Sequence, residues 1–219
     1  MKRKADWDTY STQLVAWGVG TATDYELLTR LVRGRVLDAG CGVGIHLGRM
    51  VRLGVEQAVG VDLGIPGLHY GKENFANAIF IAASLYHLPF RSNHYDLVYS
   101  IDVVEHLDKP LLALHEYYRV CKSGGFVFVQ TPNYPVKRMY DFWHWLRRSN
   151  QSLADDPTHF SRLNSFGLKK IMIEAGFQVV SICARNIAFQ RFLPGISALK
   201  SNCFGHCLGQ KVIIIGVKP

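Results

Sequence analysis

Val36-Leu37-Asp38-Ala39-Gly40-Cys41-Gly42-Val43-Gly44 joins an apolar run to three alternating glycines, and its reading decides the fold. An apolar run ending in an acid reads as a buried strand, and glycines at 40, 42 and 44 permit positive φ and close backbone approach. Leu47, Met50 and Val51 follow at i, i+3, i+4 spacing, which predicts a helix whose first N–H groups face whatever sits on the turn. Strand, glycine turn and helix thus form one binding unit.

The ligand class narrows by what the turn lacks. A dinucleotide fingerprint needs a third glycine three residues after its second, but Ile45 stands three beyond Gly42 and Leu47 three beyond Gly44. The Gly-Lys-Ser/Thr of a phosphate-cradling loop is also missing, which disfavours a triphosphate. A nucleoside without a pyrophosphate remains.

With these features the chain resembles the class I S-adenosylmethionine-dependent methyltransferases, whose first motif is an apolar strand followed by Asp-x-Gly-x-Gly-x-Gly, and in particular the small-molecule enzymes of the ubiquinone/menaquinone-type group. Ala58-Val59-Gly60-Val61-Asp62 forms a second apolar strand ending in an acid about 20 residues past the glycines, where a carboxylate can accept both ribose hydroxyls. The alternative for Asp62 is a turn or N-cap acid ahead of Pro66. Ile79 to Phe90 is similar to the family's third-strand segment, with Ser84 where members often carry an adenine-binding Asp, so backbone at Leu85 takes more of that recognition. Tyr95 to Ile101 resembles the fourth strand and Asp102 to Leu107 the stretch after it; Gly124-Gly125 leads into a fifth strand over 126–131. The matches cover residues 34–132, with weaker similarity beyond. The resemblance places the cofactor, S-adenosylmethionine, on Asp38, Gly40, Gly42, Gly44, Asp62, Leu63, Ser84, Leu85 and Ser100.

Composition agrees with one such domain over 1–219. The chain has 219 residues, 48% hydrophobic and 19% charged, enough for one well-buried core, and it shows no repeat or low-complexity tract. Strands near 35–39, 58–62, 78–82, 95–101 and 125–131 alternate with helical patterns, which implies right-handed crossovers, a parallel sheet and helices on both faces of an α/β fold. Asp108 is the expected cap of the next helix, with Pro110 in its first turn. Leu168, Ile171, Met172 and Ala175 share a helical face, Gly176 stops that helix, and strands at 177–182 and 211–217 bring the count to seven. The resemblance supplies the rest: a Rossmann-like doubly wound sheet of order 3-2-1-4-5-7-6 with the seventh strand antiparallel, N-terminal helices over 1–33 covering the cofactor, and an inserted substrate region at 133–163.

His106, at the fourth-strand exit, and His159 are the candidate catalytic residues, because a nearby imidazole can take a proton from an acceptor hydroxyl. Each has a scaffold reading beside the catalytic one. Asp102, Glu105 and His106 at i, i+3, i+4 also place two carboxylates and an imidazole on one side of a helical turn, similar to the Glu-x-x-Glu-His site of ubiquinone-pathway and small-RNA 2′-O-methyltransferases. Many relatives carry such letters without an ion, and no metal ligand is assigned. Cys203, His206 and Cys207 read as a loop with two thiols, since a closed zinc site needs a fourth ligand.

Met139, Phe142, Trp143 and Leu146 fall on one face of an inserted helix flanked by basic residues. The readings for it are an acceptor wall or lid, an ordinary packed helix, and membrane-surface contact through 137–148. The net charge of +8 would attract an acidic small molecule, RNA or anionic lipid, yet no Lys/Arg block appears. A small-molecule acceptor ranks above a nucleic acid, with methyl transfer to O or N as the reaction; the alternatives are an RNA methyltransferase and a non-catalytic cofactor-binding scaffold. Five scattered cysteines, no apolar core after Lys2-Arg3-Lys4 and no run of spanning length point to a reducing cytoplasm.

Overall fold

A computed structural model describes residues 25–134, 136–147, 158–187 and 209–219, together with Asp6, Asp8, Thr9 and Thr12. The Cys203-His206-Cys207 loop, residues 155–157, and most of the N-terminal 1–33 segment lie outside the described residues.

Seven strands form one sheet: β1 (Arg35–Ala39), β2 (Gln57–Asp62), β3 (Ile79–Ala82), β4 (Tyr95–Ile101), β5 (Cys121–Pro132), β6 (Gln178–Ile187) and β7 (Gly209–Val217). Their order is β3-β2-β1-β4-β5-β7-β6, with β7 antiparallel to both β5 and β6 and the remaining pairs parallel. This is the doubly wound order that the resemblance implied. Helices α1 (Tyr25–Thr29), α2 (Ile45–Arg52), α3 (Ile65–Asn74), α4 (Pro110–Val120), α5 (Val136–Arg147) and α6 (Ser165–Glu174) complete the elements, with a 3-10 turn at Val104–His106. None of the described helices is long and apolar enough to cross a membrane.

The Val36-Leu37 run of β1 is apolar because the strand is buried on both faces. Val36 joins Leu28, Leu47, Met50 and Leu68 on the α1–α2–α3 side; its neighbour Leu37 joins Ala113, Leu114, Leu168 and Met172 on the α4–α6 side. From β1 the chain winds outward to β2 and β3 on one side, while β4 lies on the other. Such a reversal opens a crevice at the carboxyl ends of β1 and β4, the place where open α/β sheets hold ligands.

Local rules explain the boundaries. α6 is capped by Asn164, whose side chain accepts from the Gly167 N–H, and it ends at Gly176 with φ +105, as the glycine predicts. The expected Asp108 cap is not made: Lys109 occupies the N-cap position of α4, and the Asp108 carboxylate instead accepts from the Tyr86 hydroxyl at 2.5 Å. A phenol reaching across from the β3–β4 loop outcompetes the local backbone. The seventh strand begins at Gly209, two residues earlier than the apolar run suggests, because its first residues pair with Ile187 and Arg185 of β6.

Candidate functional site

The glycine turn is held in left-handed backbone, with φ of +88, +52 and +79 at Gly40, Gly42 and Gly44. The N–H groups of Gly40 and Cys41 both donate to Val61 O, at 2.8 and 3.0 Å, which fastens the turn to the end of β2. A Cβ at position 40 would sit 2.4 Å from the Val103 side chain, and one at position 44 would sit 2.5 Å from the Phe80 ring. These two glycines therefore make room for the protein's own side chains. Gly42 does something else: its N–H donates to Asp62 Oδ2 at 2.8 Å, while Gly64 N–H donates to Oδ1 at 2.8 Å.

Asp62 thus joins both sequence readings, turn acid and hydroxyl acceptor. Burial pushes its carboxyl up, and the backbone N–H groups of Gly64, Gly42 and Leu63 pull the other way. A carboxylate oxygen with one N–H bond keeps a lone pair for a ligand hydroxyl. Replacing Asp62 with Ala is expected to weaken cofactor binding by about 2 kcal/mol, roughly 30-fold in Kd, and to lower Tm through the two lost anchors. Calorimetric titration and thermal denaturation check the two effects separately.

Asp38 and Tyr99 lie below this turn as register partners on β1 and β4. Burial holds the Asp38 carboxyl well above the usual range, with the Tyr99 hydroxyl acting against it, yet neither Asp38 Oδ2 nor the Tyr99 hydroxyl makes a hydrogen bond of good geometry. Buried polar atoms without partners are costly, and a crevice floor that keeps them is suited to a polar ligand group. Ser100 is buried and already engaged, donating to Ala39 O at 2.9 Å with Tyr117 Oη at 3.3 Å, so its hydroxyl ties β4 to the exit of β1. Ser84 accepts from Tyr86 N–H at 3.2 Å in the turn after β3, with Leu85 buried beside it and Leu63 half-exposed at the rim.

On the other flank Tyr25 of α1 hydrogen-bonds His46 Nδ1, and the Arg49 guanidinium stacks 3.9 Å from the centre of the Tyr25 ring. Burial, with Arg49 and Lys211 adding to it, pushes the His46 pKa down to about 4. This trio closes α1 onto the first turn of α2. The sequence reading missed it, because nothing local in the α1 segment marks its partner.

Beyond β4 the backbone turns sharply at Asp102, a non-glycine residue with φ +56. Asp102 N–H donates to Gln130 O at 2.9 Å, and its carboxylate takes the Lys211 ammonium and, at 3.3 Å, the Gln130 amide. Asp102 is therefore engaged by Lys211 and Gln130 and is not part of the ligand-atom cluster of Glu105 and His106, so the trio expected from i, i+3, i+4 spacing does not form, although its charge still reaches Glu105. A 3-10 turn, rather than an α-helical one, follows it.

His159 takes the place left by Asp102. Its ring packs edge-on to that of His106, centroids 4.8 Å apart, and Glu105, His106 and His159 each offer a ligand atom within 4.8 Å of the others. His106 Nδ1 lies 2.8 Å from Thr158 Oγ1 and 3.3 Å from Thr158 O. The Thr158 hydroxyl can donate or accept whereas its carbonyl only accepts, so in the tautomer that satisfies both contacts Nδ1 carries the hydrogen and Nε2 is the basic nitrogen of neutral His106. His159 Nδ1 bonds the Tyr134 hydroxyl at 2.7 Å. Glu105 is buried, accepts from Thr131 Oγ1 at 2.9 Å, and is pushed up by burial and by the Asp102 charge. The three side chains form a ligand set that a divalent ion could occupy, and an acid–base cluster without one. Tyr134, Thr158 and Lys211 were not legible as site residues.

A family model described as a methyltransferase domain matches residues 20–182. The chain belongs to this methyltransferase family. Among relatives of this methyltransferase domain, an uncharacterised methyltransferase of Schizosaccharomyces pombe is 33% identical over 133 residues, covering 55% of this chain and 48% of the relative. A ubiquinone biosynthesis O-methyltransferase of Vibrio cholerae is 33% identical over 108 residues, 47% of this chain and 44% of the relative. The chain spans about half the length of the curated relatives it matches. In fold, it is similar to an S-adenosylmethionine-dependent methyltransferase from Mesorhizobium loti at TM-score 0.64 and 15% identity, covering 90% of this chain and 98% of the other.

The family implies S-adenosylmethionine as cofactor, and the methyltransferase crevice fits it. Gly42 holds left-handed backbone beside the Asp62 carboxylate at the β2 exit, and buried Asp38 and Tyr99 have polar atoms to spare.

Proposed function

We propose that the chain transfers a methyl group from S-adenosylmethionine to oxygen or nitrogen of a small-molecule acceptor. The observation that carries this reading is the His106–His159 pair with Glu105, placed at the β4 exit on the same sheet edge as the glycine turn. When bound, the cofactor supplies an electrophilic methyl group on a sulfonium. Gly40, Gly42, Gly44, Asp62, Asp38, Ser84 and Leu85 are the residues that would hold it.

The chain's own work is then to orient the acceptor and move one proton. His106 Nε2 accepts the proton as the acceptor oxygen becomes nucleophilic, and Thr158 fixes the ring through Nδ1. An amine acceptor needs positioning more than a base. Glu105, His106 and His159 are also where a divalent ion would bind; such an ion would polarise the acceptor oxygen in place of the base.

The described parts of the 133–163 region, α5 foremost, supply the acceptor wall in this reading. α5 packs along β7 yet leaves Met139, Phe142, Trp145 and Leu146 exposed, with the Phe142 and Trp145 rings stacked at 6.0 Å. The side chain of Trp143 lies outside what the structure describes. This exposed apolar face of α5 supports an apolar acceptor, isoprenoid or polyketide in character, taken from solution or from a membrane surface. We place the reaction in the cytoplasm; Cys41, Cys121 and Cys183 are free thiols.

Calorimetric titration with S-adenosylmethionine and S-adenosylhomocysteine tests the proposal, with micromolar binding expected. Absence of binding at millimolar concentration overturns it. Transfer of a labelled methyl group to an extract then reads the acceptor: label in solvent-extractable metabolites supports the small-molecule reading, label lost to ribonuclease moves it to RNA, and binding with no transfer to any fraction marks a scaffold.

A further inference from the structure

The edge of the sheet opposite the glycine turn carries a second concavity. The N-terminal ends of β1, β2 and β4 surround a hollow of about 360 Å³, lined by Arg35, Glu56, Gln57, Arg91 and His94. The hollow is shallow and largely open to solvent, with a volume in the range of small-molecule sites. Methyl transfer, as read above, uses none of these residues.

The lining is rich in donors and carries one net positive charge. Arg35 pairs with Glu56, through Nε at 2.9 Å and Nη2 at 2.8 Å. Arg91 donates through Nε to His94 Nδ1 at 3.2 Å, and among the described residues no carboxylate pairs with its guanidinium. Behind them Lys122 is neutralised by Asp96 at 2.8 Å. The His94 ring is held edge-on against Tyr95 with centroids 4.8 Å apart. Because its Nδ1 accepts from Arg91, the ring hydrogen sits on Nε2 and makes that nitrogen a donor. Burial and the charges of Arg91, Arg35 and Lys122, against Asp96, favour the neutral ring.

The hollow is therefore lined by the Arg91 guanidinium, an Arg35 guanidinium paired with Glu56, an imidazole N–H and the Gln57 amide, with a single carboxylate among them. We infer that this hollow is an anion site for a phosphate-bearing ligand, in which Arg91 is the principal contact and Glu56 accepts from a hydroxyl on the same ligand. Planar guanidinium groups pair with phosphate through two parallel N–H donors, and one phosphodiester charge brings the lining to neutrality. A free nucleotide and one unit of an RNA strand present the same phosphate.

Titration at low salt with uridine monophosphate and with an eight-nucleotide single-stranded RNA separates these sources. The intact chain is expected to bind at least one probe, with Arg91→Ala weakening it tenfold or more and Arg91→Lys recovering part of the loss. Tighter binding of the oligonucleotide assigns the site to a strand, and equal binding assigns it to free nucleotide. Lys169→Ala, which removes the same charge from the exposed face of α6, is the control for general attraction. The site is overturned if neither probe binds, or if Lys169→Ala weakens binding as much as Arg91→Ala. S-adenosylmethionine affinity is expected to stay unchanged in all three variants, so failure here is distinguishable from failure of the methyl-transfer reading.

Discussion

Gly42→Val is expected to abolish measurable S-adenosylmethionine binding, at least a hundredfold in Kd, while leaving a folded domain. The backbone at 42 has φ +52, a region β-branched residues adopt only with strain, and its N–H is the donor that orients Asp62. A valine there costs the turn its shape, Asp62 its anchor and, in the proposed reading, the cofactor its approach to main chain. Gly42→Asn is the informative companion, since Asn tolerates the left-handed region and keeps the N–H. It should retain the fold and lose affinity only through the added bulk. Gly40→Val and Gly44→Val should differ in kind: their side chains would strike Val103 and the Phe80 ring, so these variants lose Tm first. Circular dichroism melts beside calorimetric Kd values separate the two classes. Unchanged affinity in Gly42→Val would refute the assignment of the turn.

His106→Ala is expected to lower kcat by 10²- to 10⁴-fold on a hydroxyl acceptor without changing cofactor Kd. The effect rests on Nε2 as the basic nitrogen, the tautomer in which Nδ1 donates to Thr158. His159→Ala removes the ring packed edge-on to His106 and the Tyr134 bond, and should cost less if its part is to hold His106 in place. Tyr134→Phe discriminates further, since it deletes one hydroxyl and keeps the wall. With the metal alternative, both histidine variants would lose activity together and chelator would reproduce the loss. Equal rates in His106→Ala and the parent chain, on a hydroxyl acceptor, would remove His106 from the chemistry.

How legible the chain was follows from the range of the forces involved. The parallel strands could be read because β1 is buried on both faces and its neighbours are similarly apolar, so periodicity and glycine punctuation survive in the letters. Gly40 and Gly44 were legible as glycines needed by the turn, but not as openings for Val103 and Phe80, because those contacts join residues 36 to 63 positions apart. Asp102 failed in the same way. Its spacing to Glu105 and His106 is local information, whereas Lys211, which takes its carboxylate, arrives from a strand 109 residues later. Asp108 was read as a cap for want of any sign that Tyr86 would take its carboxylate. Short-range rules thus gave the scaffold, and the departures from them fall where distant segments meet at the sheet's working edge.

The place of β7 has a consequence for how the chain is made. Residues 209–217 lie between β5 and β6, pairing antiparallel with both. On a ribosome, β1 to β4 can assemble while the remainder is still being synthesised, but β5 is left with an open edge and β6 with no neighbour until that late segment emerges. The cofactor half can therefore mature early, whereas Lys211 and its grip on Asp102 come last, and truncation before residue 209 would expose a strand edge to aggregation.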